Sequence, residues 1–226
     1  MKIGAVLLLF TILLLGSCAP SRLVEPLQRN ENSVTVSMGG PVFKNLGAPI
    51  PMPLSSISYG RGLTKKISSI ASIHITSAIY QNLHFELGGL VGIRSYQKYT
   101  NKYLPGVSAT VLLNSASSLR GGISKVWPQI DVNAYWKVWA REDLFYVGIS
   151  NWFELQNLRA HGEPQPNPWL LSPQIGYNYG FGRYSANLEV KFIAPNIRND
   201  QLAIEYFSAT GKTGALGVYL GVSRKF

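Results

Sequence analysis

His74, Thr76 and Glu86 put an imidazole, a hydroxyl and a carboxylate close together in one stretch of the chain. An imidazole can take the proton of a hydroxyl nucleophile while a carboxylate orients the ring, the division of labour of hydrolytic triads. A second grouping, His84, Glu86, Asp131, Glu154 and His161, could activate water by general acid–base chemistry if the fold gathered it at one rim. The same residues have a purely structural use. With Arg94, Lys137, Arg141, Arg183, Glu189 and Lys191 they supply charges of both signs. Charges taken out of water must be paired, and structural ion-pair networks are common. The adopted reading is a paired polar network around His74, His84, Glu86, Arg94, Asp131, Lys137, Arg141, Glu154, Glu189 and Lys191, with no catalytic residue assigned. The chain has one cysteine, Cys18, so it cannot close a disulfide within itself. No phosphate loop, Cys/His zinc cluster or His-Glu-x-x-His motif is present, and neither cofactor nor metal is expected.

The elements that must position these residues are strands. From Ser33 onward the sequence alternates with period two, and ten strands can be read. They are Ser33–Val42, Pro53–Leu63, Ser68–Tyr80, Leu83–Tyr96, Val107–Ala116, Ile130–Arg141, Leu144–Leu155, Leu170–Gly182, Arg183–Pro195 and Gly214–Phe226. In the sixth, Val132, Ala134, Trp136 and Val138 oppose Asp131, Asn133, Tyr135 and Lys137. In the ninth, Ala186, Leu188 and Val190 oppose Asn187, Glu189 and Lys191. The fourth sets Phe85, Leu87, Val91 and Ile93 against His84, Glu86, Gly92 and Arg94, and the third places His74 and Thr76 on one row.

A soluble barrel would turn the apolar rows inward, and a membrane barrel would turn them to lipid. Three features favour the membrane form. The strands are long enough to cross a bilayer at a tilt. The polar rows hold Gly, Ser, Asn and isolated charges of both signs, with few of the Lys/Glu runs of a soluble surface. Aromatics lie at strand ends (Tyr80, Tyr96, Trp127, Tyr146, Trp152, Trp169, Tyr184), where lipid would meet water. Loop lengths agree. With the first strand starting at the periplasm, three of four turns on that side are short. Phe43–Met52, Ser117–Gln129, Gln156–Trp169 and Asn196–Thr213 form long external loops. The fold class is therefore an all-β transmembrane antiparallel barrel of about ten strands, within a range of roughly eight to twelve.

The N-terminus carries Lys2, an apolar run from Val6 to Leu15, and Leu15-Gly16-Ser17-Cys18. The run is too short to span a hydrocarbon core of about 30 Å, and its layout is that of an export signal. Gly-Ser-Cys resembles the bacterial lipobox, which implies cleavage before Cys18 and acylation of its thiol. The division that follows is a signal peptide at 1–17, an acylated Cys18 with a flexible, Pro-containing tether to residue 32, and a barrel at 33–226. Loss of residues 1–17 removes only Lys2 and takes the net charge from +10 to +9. At the other end, Gly221 and the terminal Phe226 resemble the C-terminal signal of outer-membrane barrels, with Arg224 at a position where that pattern has an apolar residue.

Together these features resemble a small outer-membrane β-barrel lipoprotein of the Bacteroidota type. The resemblance implies partners among outer-membrane lipid, lipopolysaccharide and other outer-membrane proteins. Nucleic acid is not expected, since an exported cationic chain meets anionic lipid first. The expected role is a non-enzymatic structural or accessory subunit. A small diffusion channel is one alternative. A hydrolase is another: His74, Thr76 and Glu86 resemble the His/Ser/Glu set of lipid A deacylases except that Thr replaces Ser, and the rim carboxylates and histidines are similar to those of omptin proteases without their local motifs.

Overall fold

The computed structural model describes residues 23–45, 48–96, 103–121, 124–138, 143–156, 167–199 and 205–226. Ten antiparallel strands form a closed barrel: β1 (Asn32–Asn45), β3 (Leu54–Gly62), β4 (Ile67–His74), β5 (Asn82–Arg94), β6 (Gly106–Ser118), β7 (Ser124–Val138), β8 (Asp143–Phe153), β9 (Trp169–Phe181), β10 (Tyr184–Arg198) and β11 (Thr213–Lys225). Each pairs with its neighbour in sequence, and β1 pairs with β11 from Ser33↔Lys225 to Pro41↔Gly217. Closure removes the exposed edges that an open sheet would present. The short β2 (Ala48–Pro51) folds back only on the end of β1. Both chain ends of the barrel lie at one mouth, where Asn32 and Phe226 exchange backbone hydrogen bonds of 2.9 and 3.0 Å.

The alternation sorts residues opposite to a soluble protein. Along β7, Trp127, Gln129, Asp131, Asn133 and Tyr135 are buried while Val126, Ile130 and Val132 face out. Along β5, His84 and Glu86 are buried, and Leu87 is 68% exposed. Ser33, Thr35 and Ser37 line the inside of β1 while Val36 and Met38 face out. The interior is thus a polar core and the exterior an apolar band, the arrangement of a transmembrane barrel.

Several strand limits differ from expectation. The third strand stops at His74, and Ile75–Ile79 form a short helix, α1. Gln81 then takes φ 61° to turn the chain into β5. Strand β7 begins at Ser124 and includes Pro128, so the long loop expected over Ser117–Gln129 shortens to a few residues. Proline is tolerated there because Pro128 pairs only with β6; the pairing with β8 starts at Gln129. Trp127, Tyr146 and Trp152 lie inside the barrel instead of on its outer rim, because each falls on the inward row of its strand.

The largest departure concerns the expected flexible tether. Residues 23–27 pack against the inner wall at the mouth that holds the termini, and exposed Gln28, Arg29 and Asn30 lead from there to β1. The Ser108 hydroxyl donates to the Val24 carbonyl at 2.6 Å, and the Leu27 amide donates to the Ser68 hydroxyl at 2.9 Å. Lys137 pairs with Glu25 at 2.9 Å. Val24 packs with Tyr135, Leu144 and Tyr146, and Leu23 lies against Ile70, Leu90 and Leu112. Glycines make room: a Cβ on Gly62 would stand 1.9 Å from the Gln28 carbonyl oxygen, and one on Gly92 would stand 2.8 Å from Pro26. The segment therefore crosses the mouth from β3 to β8. Burial of Leu27 and Val24 holds it there, at about 1.5–3 kcal/mol for each fully buried aliphatic side chain.

Candidate functional site

Strands β4 and β5 bring His74, His84 and Glu86 together near the mouth opposite the termini. His74 ends β4 and His84 is the third residue of β5, and the α1 turn between them reverses the chain without moving either off its inward row. All three are buried. His74 Nε2 donates to Glu86 Oε1 at 2.7 Å. The two imidazoles stack with centroids 3.8 Å apart and planes 7° from parallel, and the Trp127 ring lies 5.2 Å beyond His84. One ligand atom from each of the three residues falls within 4.8 Å of the others. Among the described residues this is the one group of three or more His, Cys, Asp or Glu side chains so arranged.

A hydrogen-bonded relay runs from His84 across the inner wall. His84 Nε2 lies 3.4 Å from Asn114 Oδ1, Asn114 Nδ2 donates to Gln129 Oε1 at 3.3 Å, and Gln129 Nε2 donates to both oxygens of Asp131 at 3.0 Å. A second cluster stands at mid-barrel. Glu189 accepts from Tyr146 Oη at 2.7 Å and faces Lys191 Nζ at 3.3 Å, with Asn187 donating to Tyr146 Oη at 3.1 Å. Lys191 also lies 5.8 Å from the Tyr219 ring centroid.

The remaining residues singled out from sequence are dispersed. Thr76 lies on α1, away from the inward row, and its hydroxyl is engaged by Ser55 and the Pro53 carbonyl. The His74/Thr76/Glu86 set is therefore not assembled. Glu154 pairs with Lys125, and Lys137 is held by Glu25 at the plugged mouth. Arg94 is exposed: a register shift at Gly92/Arg94 takes it off the inward row, and its guanidinium donates to the Pro105 carbonyl. Arg183 is exposed in the β9–β10 turn. Gly221 is buried on β11, and Phe226 is exposed at the terminus. Arg224 faces outward over the Tyr184 ring at 5.7 Å, which places a cation beside an exposed aromatic at the end of the apolar band. Cys18, Arg141 and His161 lie outside the described residues.

Reasoning from sequence missed Asn114, Gln129, Tyr146 and Trp127 as members of the interior network. Trp127 and Gln129 could have been found by continuing the alternation of Asp131 and Asn133 through Pro128. It also missed Asp143, fully buried, which accepts from Tyr177 Oη at 3.0 Å and from the Gly180 amide at 2.9 Å.

No protein-family model matches the sequence, and no curated protein matches it. Among solved structures the chain is similar to the translocator domain of autotransporter NalP from Neisseria meningitidis. The identity is 9% and the TM-score 0.45, over 100% of this chain and 95% of that one. It is similar to the trimer form of OmpT, an outer membrane protein of Vibrio cholerae, at 14% identity and TM-score 0.35, over 78% and 57% of the two chains. For the outer membrane protein OprG from Pseudomonas aeruginosa the values are 8% and 0.34, over 90% and 99%.

Proposed function

We propose that the protein is an outer-membrane barrel, tethered by an acylated Cys18, whose sealed interior makes it a structural or accessory subunit and not a conduit. The observation that carries this reading is the filled lumen. Leu23–Leu27 cover one mouth, and the inner wall above them is closed by paired, buried side chains such as Glu189–Lys191 and His74–Glu86. Charges in a lumen packed this way are compensated by one another, whereas a diffusion pore leaves them to water. The outward apolar band supports the membrane location, and the lipobox-like Leu15–Cys18 supports the anchor. An integral barrel needs no acyl chain to stay in the membrane. The anchor instead fixes the segment that enters the barrel mouth, and so holds that end of the molecule close to the inner leaflet and to whatever protein sits there.

A diffusion channel is the second reading, and one observation favours it. The mouth is covered by a separate segment and not by the wall itself, so its withdrawal would open that end. Conductance in planar bilayers tests both. Purified full-length mature protein should be silent, and sustained open currents from it would replace the structural reading with the channel. Deleting residues 23–31 measures how much of the seal that segment supplies.

A further inference from the structure

We infer that His74, His84 and Glu86 form a binding site for a divalent transition-metal ion of the zinc type. The donor set is two imidazole nitrogens and one carboxylate oxygen. Three protein ligands of that composition leave further coordination positions open for water or another ligand, the usual makeup of zinc sites that are not purely structural. Imidazole selects borderline ions such as Zn²⁺, Co²⁺, Ni²⁺ and Cu²⁺ over Ca²⁺ or Mg²⁺, which take all-oxygen shells.

The relay beyond His84 fixes which of its nitrogens is the donor. Gln129 presents its Nε2 to both Asp131 oxygens and to the Ser150 hydroxyl, and its Oε1 to Asn114. Asn114 spends its Nδ2 on that oxygen and turns Oδ1 toward His84. Only a protonated Nε2 can meet an acceptor there, so in the neutral ring the lone pair stands on Nδ1. A ligating histidine whose other nitrogen donates to an oxygen of the surrounding shell is the recurrent way proteins set tautomer and ring orientation at a metal.

His74 and Glu86 provide the other two positions. Their Nε2 and Oε1 are 2.7 Å apart in their hydrogen bond; adjacent tetrahedral ligands with bonds of about 2.0–2.2 Å stand roughly 3.3–3.6 Å apart, so the pair opens by under about 1 Å to admit an ion. The ion takes the place of the ring proton between them, and His74 then carries that proton on Nδ1. The stacked rings set the remaining adjustment. A metal lies near the plane of each imidazole that binds it, so His84 tilts out of its parallel stack on His74. Since His84 also lies 5.2 Å from Trp127, loading changes the surroundings of that indole. The sequence gives no motif for this site because the two histidines are joined by a strand-to-strand turn and not by a helical or short-loop spacing.

The test uses tag-free, full-length mature protein in detergent, stripped with chelator and titrated with Zn²⁺ or Co²⁺ alone. One ion per chain should bind, and bound Co²⁺ should show the ligand-field absorption of a site with nitrogen donors. His84→Phe keeps a flat ring between His74 and Trp127 while removing the donor. It should stay heat-modifiable on gels and bind at least about 100-fold more weakly, since loss of a mere supporting contact costs 10–100-fold. Glu86→Gln should weaken binding likewise. X-ray absorption of the Zn²⁺-loaded wild type needs no variant and should show two imidazoles. Wild type that binds no more tightly than folded His84→Phe overturns the site, as does a zinc shell with fewer than two imidazoles.

Discussion

Removing Lys191 should cost more than removing the acid beside it, and the difference follows from the interior geometry. Glu189 is fully buried and Lys191 is 2% exposed, with Nζ and Oε1 3.3 Å apart. Breaking a buried pair by deleting one member commonly costs about 3–5 kcal/mol, because the survivor is left charged without compensation. Lys191→Met leaves Glu189 buried without its cation and should cost the full amount, about 3–5 kcal/mol. Glu189→Gln keeps an oxygen for both Tyr146 Oη and Lys191 Nζ, and Lys191 keeps the Tyr219 ring at 5.8 Å, so it should cost less than about 3 kcal/mol. The double variant should be less damaging than the sum of the singles by about 1 kcal/mol or more, the signature of contacting residues. Urea unfolding in detergent, followed by tryptophan fluorescence at a common m-value, gives these differences. A loss below about 1 kcal/mol for Lys191→Met would refute the reasoning, because a lysine in a water-filled pore is compensated by solvent.

Leu87→Arg and Leu188→Arg should each impair membrane insertion by about 2–4 kcal/mol, while Asn187→Arg should be better tolerated; heat-modifiable gel migration of membrane fractions reads this out. Cys18→Ser should abolish labelling by a clickable fatty acid without preventing barrel insertion, and undiminished label would remove the lipobox. Gly62→Ala should displace the covering segment, because the new methyl meets the Gln28 carbonyl at 1.9 Å. Limited proteolysis should then release the N-terminus while the strands stay protected, and equal resistance of the variant and wild type would argue against the plug.

The ten strands were legible because period-two alternation survives wherever one face meets a different medium from the other. The rows of β5, β7 and β10 follow directly from residues such as Phe85/Glu86, Asp131/Val132 and Leu188/Glu189. The helix α1 was not legible, since Ile73, Ile75 and Ile79 continue the strand pattern while Ile75, Ala78 and Ile79 fit a helical turn equally well. Pro128 hid the start of β7 because a proline argues against a central strand unless its position in the pairing is known. The fate of Leu23–Leu27 was hidden by the surrounding polar and proline residues. Its signal was divided between three apolar side chains and small inward residues at Gly60, Gly62 and Gly92, which only the closed barrel brings opposite each other. The relay from His84 through Asn114 and Gln129 depends on the register of β5, β6 and β7, and alternation leaves register open.

The most direct test of a lipid-facing barrel with a sealed polar interior is the collision accessibility of nitroxide labels on single cysteines in a Cys18→Ser background. Leu188 and Leu220, paired and outward at 49% and 54% exposure, should collide with oxygen dissolved in the bilayer and not with a water-soluble nickel chelate. Ser37 and Ser150, buried on inward rows, should be protected from both reagents. Chelate access at Leu188 and Leu220 would contradict the membrane orientation, and chelate access at Ser37 and Ser150 would show an open, water-filled lumen.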